Sequence, residues 1–464
     1  MSSDEIKKPN LIISIIPLLS LILFLYLILQ VFGLGDPHMA IIAGAGVAAG
    51  IGLINGYKWE ILEEGIAEGI QVGLKAILIL MVVGILIATW IASGIVPFLI
   101  DMGLGLLHPK IFYVASCAIC AVISLATGSS WTTAGTVGVA LMGVGSGLGI
   151  NEAIAAGAIV SGSYFGDKLS PLSDSTNLAP AVAGTDLFTH IRHMLYTTVP
   201  AISISLVAYF FIGILSEFNT SQISDISEIR NVIQSNYKLS PILIIAPSLV
   251  LIMIWKKAPA LPSLFIASLI GILLGIFYQG VEPSKMLYYA FNGFDGDSGS
   301  DKVNELLNKG GLSEMMWTIS LIFCALGFGG IMMKTHMLEV IALAILKLAT
   351  STGKLIGATN MSCIIMNLVA ADQYLAIAVP GKMFKSAFTK KGLAPQNLSR
   401  CLEDAGTLTS PLIFWNTCGA TMKNFLGVAP HVFAPYAFFN WLSPIISLLL
   451  AFTGWGITKV KNQD

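Results

Sequence analysis

Residues 153–186 read AIAAGAIVSGSYFGDKLSPLSDSTNLAPAVAGTD, an apolar segment with a polar stretch in its middle. Apolar residues run over Ala153–Phe165 and resume at Leu178. Pro171 lies between them, and proline breaks a helix because it lacks the backbone N–H. Irregular backbone at membrane depth is tolerated only where it lines protein or water. We therefore predict a broken membrane helix here; a polar surface loop between two shorter helices is the alternative interpretation.

The composition is that of a chain that crosses a membrane several times. Of the 464 residues, 55% are hydrophobic and 11% are charged, whereas soluble domains carry about 25% charge. The net charge of −1 argues against nucleic-acid binding, and the six cysteines show neither a disulfide framework nor a metal motif. These features predict an all-α polytopic membrane protein that needs no cofactor.

Runs without charged residues predict the membrane spans. Ile111–Asn151 has about twice the 20 residues that a bilayer requires, so it must fold back. Its polar group Thr127-Gly128-Ser129-Ser130 is the predicted turn. The predicted spans are Leu11–Gly35, Met39–Tyr57, Ala76–Ile100, Ile111–Asn151, Met194–Ser216, Leu239–Trp255, Ala258–Val281, Met315–Met333, Leu355–Ala371 and Asn424–Thr458.

Two short motifs recur between the halves of the chain. Ser170-Pro171-Leu172 returns as Ser410-Pro411-Leu412, and Gly128-Ser129-Ser130-Trp131 corresponds to Ala371-Asp372-Gln373-Tyr374. Chance similarity between apolar sequences is the alternative. We predict two repeats, with broken helices and re-entrant hairpins, over 1–216 and 239–464.

The distribution of Lys and Arg predicts how these repeats sit in the membrane. Lys7 and Lys8 precede the first span, and Lys459 and Lys461 follow the last, so both termini are predicted to be cytoplasmic. The loop 143–152 lacks Lys and Arg, whereas its counterpart 382–400 is basic. Opposite sides of the membrane would explain that difference, which favours inverted repeats joined by an extracellular linker over 217–238.

Oxygen-bearing side chains in the first broken segment predict a cation site near the membrane midplane. Carboxylates, amides and hydroxyls are hard ligands that suit Na⁺ and not a soft transition metal. We predict that Asp174, Asn177, Ser129 and Thr133 line this site. Asp167 is either a further ligand or the partner of Lys168, which otherwise would hold an anionic substrate.

Asp372 is predicted to be the most isolated charge in the chain, because no other charged residue lies between Lys354 and Lys382. A carboxylate inside a membrane is expensive and indicates function; a loop tip in water is the alternative. Since burial disfavours the anion, Asp372 is the predicted titrating group. By the repeat it faces three residues of the second broken segment, namely Asp404, Thr407 and Asn416. Glu403 and Asp404 could instead lie at the cytoplasmic interface.

The stretch from Thr127 to Val139, followed by the stretch from Gly162 to Pro180, resembles the NhaC family of Na⁺/H⁺ antiporters. That family includes malate/lactate antiporters with nearly the same motifs. It belongs to a wider group of ion transporters with inverted repeats, paired re-entrant hairpins and broken helices. The resemblance implies that the regions of Ser129 and Asp372 are hairpin tips that face the two broken helices.

The expected activity is exchange of Na⁺ for H⁺ across the cell membrane, with both ions competing for buried carboxylates. The alternative is proton- or Na⁺-coupled exchange of small carboxylates such as malate and lactate, for which Lys168, Ser130, Ser175 and Thr176 would hold the anion. An enzyme that uses Ser129 or Ser130 as nucleophile is disfavoured, because no histidine lies nearby in sequence. The expected partners are Na⁺, H⁺ and the lipid bilayer; a homo-oligomer stays open.

Overall fold

The computed structural model describes residues 8–34, 36–216, 220–256 and 258–460, and within these ranges the chain is helical. Leu393 and Lys459 form an isolated β-bridge, and the described residues contain no strand. The predicted all-α architecture is confirmed. Lys7 and Lys461, on which the predicted orientation partly depends, lie outside the described residues.

The described residues of the first half form ten α-helices. Polar residues cap several of them: Asn151, for example, accepts a hydrogen bond from the Ala153 N–H at 3.0 Å. The helices are α1 (Leu11–Tyr26), α2 (His38–Ile54), α3 (Trp59–Ala92), α4 (Ile95–Leu106), α5 (Phe112–Thr127), α6 (Ser130–Thr133), α7 (Val139–Gly147), α8 (Glu152–Leu169), α9 (Asp174–Ala183) and α10 (Leu187–Leu215).

A helix within the predicted linker, α11, begins the remainder of the chain. The α-helices are α11 (Thr220–Asn236), α12 (Ile245–Trp255), α13 (Ala260–Leu274), α14 (Pro283–Asn292), α15 (Asp301–Leu307), α16 (Leu312–Lys334), α17 (Met337–Lys347), α18 (Thr352–Val369), α19 (Gln373–Lys390), α20 (Pro395–Cys401), α21 (Thr417–Leu426), α22 (Pro430–Phe433) and α23 (Phe438–Thr453). Four π-helical segments cover Leu27–Val31, Ala134–Gly138, Gly275–Gln279 and Leu402–Thr407, and 3₁₀ turns cover Pro109–Ile111, Pro241–Ile244, Ser410–Leu412 and Ala434–Tyr436.

Five helical stretches in the described part of the chain are long and apolar enough to cross a membrane. A sixth span results if Pro430–Tyr436 and Phe438–Thr453, which are bent by 60° relative to each other, count as one. The five are Trp59–Ala92, Pro109–Thr127, Leu187–Leu215, Leu261–Gln279 and Leu312–Lys334. The protein is therefore a multi-pass membrane protein.

The same order of elements occurs in both halves. In the first, α5 turns into α6 at Gly128 and Ser129, and the helix formed by α8 and α9 is interrupted over 170–173. In the second, α18 turns into α19 over 370–372, and α20 with its π-helical extension is separated from α21 by the segment 410–416. The interruptions lie where the sequence predicts them. The inverted arrangement of the two halves stays a prediction.

Glycines let α3 and α16 pack backbone to backbone at the centre of the bundle. Gly65, Gly69 and Gly73 recur every four residues on one face of α3, a spacing that permits close helix contact in membranes. A Cβ at Gly69 would lie 2.3 Å from the carbonyl oxygen of Leu326, and a Cβ at Gly330 would lie 2.1 Å from that of Gly65. The contact holds the long helix that carries one wall of the candidate site.

Gly69→Leu is expected to separate α3 from α16, because the new side chain meets backbone that cannot rotate away. Overpacking of this kind typically costs about 1–3 kcal/mol, so the melting temperature of the detergent-purified protein should fall clearly. Gly46→Leu is the matched control, since no atom lies within 4 Å of a Cβ at that exposed helical position. Equal melting temperatures for the two variants would contradict the packing.

Candidate functional site

A cavity of about 530 Å³ lies between α3, both helix–turn–helix tips and the interrupted helix of the first half. The described residues of its lining are rich in hydroxyl, carboxylate and amide groups and include one lysine. The polar residues of the lining are Lys75, Thr127, Ser129, Ser130, Asp167, Ser173, Asp174, Ser175, Asp372, Gln373 and Thr417.

The two tips have the same backbone conformation. Gly128 has φ +70° and Ala371 has φ +54°, both in the left-handed region, and each is followed by an extended residue that caps the next helix. Ser129 Oγ accepts from the Thr132 N–H at 3.1 Å. Asp372 Oδ1 accepts from the N–H groups two and three residues on, at 2.8 and 3.1 Å. Asp372 thus occupies the place of Ser129, now with a buried carboxylate.

Each tip is pressed against the interrupted helix of its own half. A Cβ at Gly128 would lie only 2.7 Å from the backbone of Leu172, so a larger residue does not fit there. In the second half the Thr417 N–H donates to the Ala371 carbonyl at 2.9 Å. Thr417 Oγ1 also lies 3.5 Å from Asp372 Oδ2. The interrupted helices therefore form part of the cavity wall.

Asp167 is buried and is held by the first tip. Ser130 donates to its Oδ2 twice, from the hydroxyl at 2.6 Å and from the backbone N–H at 3.2 Å. The alternative, a pair between Asp167 and Lys168, does not form, because Lys168 pairs with Asp404 instead. Asp167 joins Asp372 as a second buried carboxylate of the cavity.

Asp174 lies at the rim of the cavity, and its side chain is 58% exposed. It forms an ion pair with Lys75 of α3, a residue that the sequence analysis missed. The sequence does contain a signal for this residue, because Lys75 is the lone charge between Glu68 and Asp101. Exposed pairs of this kind contribute little to stability, so Lys75 and Asp174 remain available to other ions.

Three predicted residues of the first half bond to backbone carbonyls and are not among the described residues that line the cavity. Asn177 Nδ2 donates to the carbonyls of Pro171 and Ser173, at 2.9 and 2.7 Å. Thr176 Oγ1 lies 3.0 Å from the carbonyls of both Asp167 and Lys168. Thr133 Oγ1 donates to the Ser129 carbonyl at 2.9 Å. Asn177 and Thr176 thus satisfy backbone carbonyls at the break, whereas Thr133 bonds within the first tip.

Lys168 and Asp404 form a fully buried ion pair that connects the two interrupted helices. Thr197 Oγ1 donates to Asp404 Oδ1 at 2.8 Å, and Arg400 Nε lies 3.9 Å from Oδ2. Neither Lys168 nor Asp404 is among the described residues that line the cavity. Lys168 and Asp404 thus form a buried pair apart from those predicted residues that line the cavity.

Asn416 and Thr407 also lie away from the cavity lining. Asn416 caps α21 through the Cys418 N–H at 3.0 Å, and its Nδ2 donates to the Asn367 carbonyl at 3.1 Å. Asn367 in turn donates to the Gly406 carbonyl at 2.6 Å. Thr407 is fully buried, and its hydroxyl has no hydrogen-bond partner in the described part of the chain.

Comparison with known proteins gives consistent matches over most of the chain. A family model described as the Na⁺/H⁺ antiporter family matches residues 162–455. The chain is 42% identical to the Na⁺/H⁺ antiporter NhaC of Alkalihalophilus pseudofirmus over 92% of each chain. It is 34% identical to the malate-2H⁺/Na⁺-lactate antiporter of Bacillus subtilis, over 99% of this chain and 98% of that one. It is 37% identical to the arginine/ornithine antiporter ArcD of Halobacterium salinarum, over 97% of this chain and 94% of that one.

Lys168→Met is expected to destabilise the protein strongly, because it leaves the buried carboxylate of Asp404 without its main partner. Breaking a buried pair costs about 3–5 kcal/mol. The double variant Lys168→Met/Asp404→Asn should recover much of that loss. Lys75→Met, which breaks an exposed pair, should cost less than about 1 kcal/mol. Melting temperatures in detergent measure all three, and a Lys168→Met variant as stable as the wild type would contradict the burial.

Proposed function

Since the chain belongs to the Na⁺/H⁺ antiporter family, we propose that it exchanges Na⁺ for H⁺ across the cell membrane at the cavity described above. The observation that carries this proposal is the convergence of three carboxylates, from Asp167, Asp174 and Asp372, on one cavity. Among the described residues of the lining, Lys75 is the one lysine that offsets their charge. A site with this excess of oxygen ligands and negative charge suits a hard cation or protons.

Each buried carboxylate of the cavity keeps one oxygen for an ion. Oδ1 of Asp372 accepts the two capping N–H groups, so Oδ2 remains beside the hydroxyl of Thr417. Ser130 donates both of its hydrogen bonds to Oδ2 of Asp167, which leaves Oδ1. The protein holds the two groups in place while one oxygen of each exchanges its ligand.

Exchange follows from competition for these oxygens. Asp372 releases its proton when Na⁺ enters and regains one when Na⁺ leaves, because an empty, charged site inside the membrane is too costly to move. Na⁺ at the rim would replace Lys75 as the partner of Asp174. One inverted half then rocks against the other around the loaded cavity. In this proposal both termini lie in the cytoplasm and the linker 217–238 lies outside. A homo-oligomer is compatible with this cycle.

Exchange of small carboxylates is the second candidate, and the lysine in the cavity favours it. Lys75 lines the cavity together with Ser130 and Ser175 and could hold an anion. Lys168 is engaged with Asp404, so Lys75 replaces it in this version of the proposal. The name of the B. subtilis relative, a malate-2H⁺/Na⁺-lactate antiporter, agrees with such a cargo. In either case no cofactor takes part.

Asp372→Asn is expected to abolish Na⁺-driven proton movement in proteoliposomes, because the amide caps α19 but cannot exchange a proton. A pH-sensitive dye inside the vesicles measures the response to added Na⁺. Asp186→Asn is the matched control, since Asp186 caps α10 in the same way outside the cavity. If Asp372→Asn keeps the activity and pH dependence of the wild type, the titrating group is another carboxylate.

Lys75→Gln separates the two cargoes. If Na⁺ alone is exchanged, the variant should keep Na⁺-driven proton movement, because removal of the Lys75 ammonium group removes a cation that competes with Na⁺ in the cavity. If a carboxylate is carried, wild-type vesicles should take up labelled malate or lactate, and Lys75→Gln should lose that uptake. Absence of any carboxylate uptake by the wild type would exclude the second candidate.

A further inference from the structure

Glu403 is a buried acid outside the cavity. It lies in the π-helical segment Leu402–Thr407 of the interrupted helix of the second half. Its side chain is fully buried, and neither carboxylate oxygen has a hydrogen-bond partner in the part of the chain that the structure describes. Its neighbour Asp404, by contrast, is paired with Lys168. π-Helical turns frequently mark functional positions.

An unpartnered carboxylate in such a place is neutral. Burying an ionised carboxyl group without a partner costs so much that the group takes up a proton instead. A resident Na⁺ fits less well, because hard cations take several oxygen ligands. The hydroxyls of Thr407 and Ser175 approach Glu403 but do not reach hydrogen-bonding geometry.

Glu403 and the cavity share Ser175 as a neighbour. Ser175 lines the cavity and also lies beside Glu403, and Asp167 is close enough to act on its charge. Glu403 itself is not among the described residues that line the cavity. Ser175 thus adjoins both Glu403 and the cavity, and Glu403 supplies no oxygen to the lining that Na⁺ would use.

We propose that Glu403 carries a second transported proton, in addition to the one that competes with Na⁺. This inference rests on the function proposed above. The carboxylate takes a proton from water on one side and releases it on the other, so each cycle moves one more proton per Na⁺ than competition alone. The charged and titratable groups that face Glu403 are Asp167 and Lys168 of α8 and Cys363 of α18, with Arg400 and Asp404 along its own helix.

Glu403→Gln tests the proposal, because the amide imitates the protonated acid. We expect the variant to keep the melting temperature of the wild type and to retain Na⁺-driven proton movement. Its ratio of protons to Na⁺, measured with a pH dye and ²²Na⁺ in proteoliposomes, should fall by one proton per Na⁺. The transport rate should also respond differently to an imposed K⁺ diffusion potential, because the net charge moved per cycle changes with the ratio. Glu282→Gln, at an exposed position, is the control and should keep the wild-type ratio.

Two results would overturn the assignment. An unchanged ratio in Glu403→Gln would mean that Glu403 carries no transported proton. Loss of all transport by a folded variant would make Glu403 part of the shared site. If Glu403→Gln fails to fold, the ratio is measured in Glu403→Met instead, and an unchanged ratio there would overturn the assignment in the same way. Failure of the proposed function appears differently, because the wild type itself would then move no protons in response to Na⁺.

Discussion

Every interruption of a helix inside this bundle frees backbone groups that must find partners within the protein, and the fold depends on how they do so. No water is available in the hydrocarbon region to satisfy them. Asn177 and Thr176 take up carbonyls of the first interruption, whereas Asn367 and Asn416 link the second to α18. The hairpin tips also pack against the interrupted helices, as the hydrogen bond from the Thr417 N–H to the Ala371 carbonyl illustrates. The interruptions thus account both for these stabilising hydrogen bonds and for the polar cavity.

Buried charge is divided between two environments with different roles. In the cavity, Asp167 and Asp372 each use one oxygen for backbone or hydroxyl donors and keep the other. Behind it, Lys168 and Asp404 neutralise each other without a cavity around them. The first arrangement allows ligands to exchange, while the second joins the interrupted helices. Glu403 is buried like the pair, but no described residue donates a hydrogen bond to its carboxylate.

Local signals were sufficient for much of the fold, and distant pairings were not. Pro171 and the motif around Gly128 predicted where helices stop, because backbone chemistry acts within a few residues. The correspondence of Ser129 with Asp372 came from a motif offset, and both residues cap helices at the tips. The partner of Lys168 is 236 residues away in sequence, and no local pattern indicates it. Lys75 was overlooked because its contact with Asp174 depends on how α3 packs.

The central claim is that Na⁺ and protons compete for the same carboxylates of the cavity. Equilibrium binding of Na⁺ to the purified wild-type protein, measured by calorimetry over a series of pH values, tests it most directly. Competition predicts that the apparent dissociation constant rises as the pH falls, approaching about tenfold per pH unit for each proton displaced, with protons released on binding. A dissociation constant that is independent of pH, with no proton release, would contradict the account.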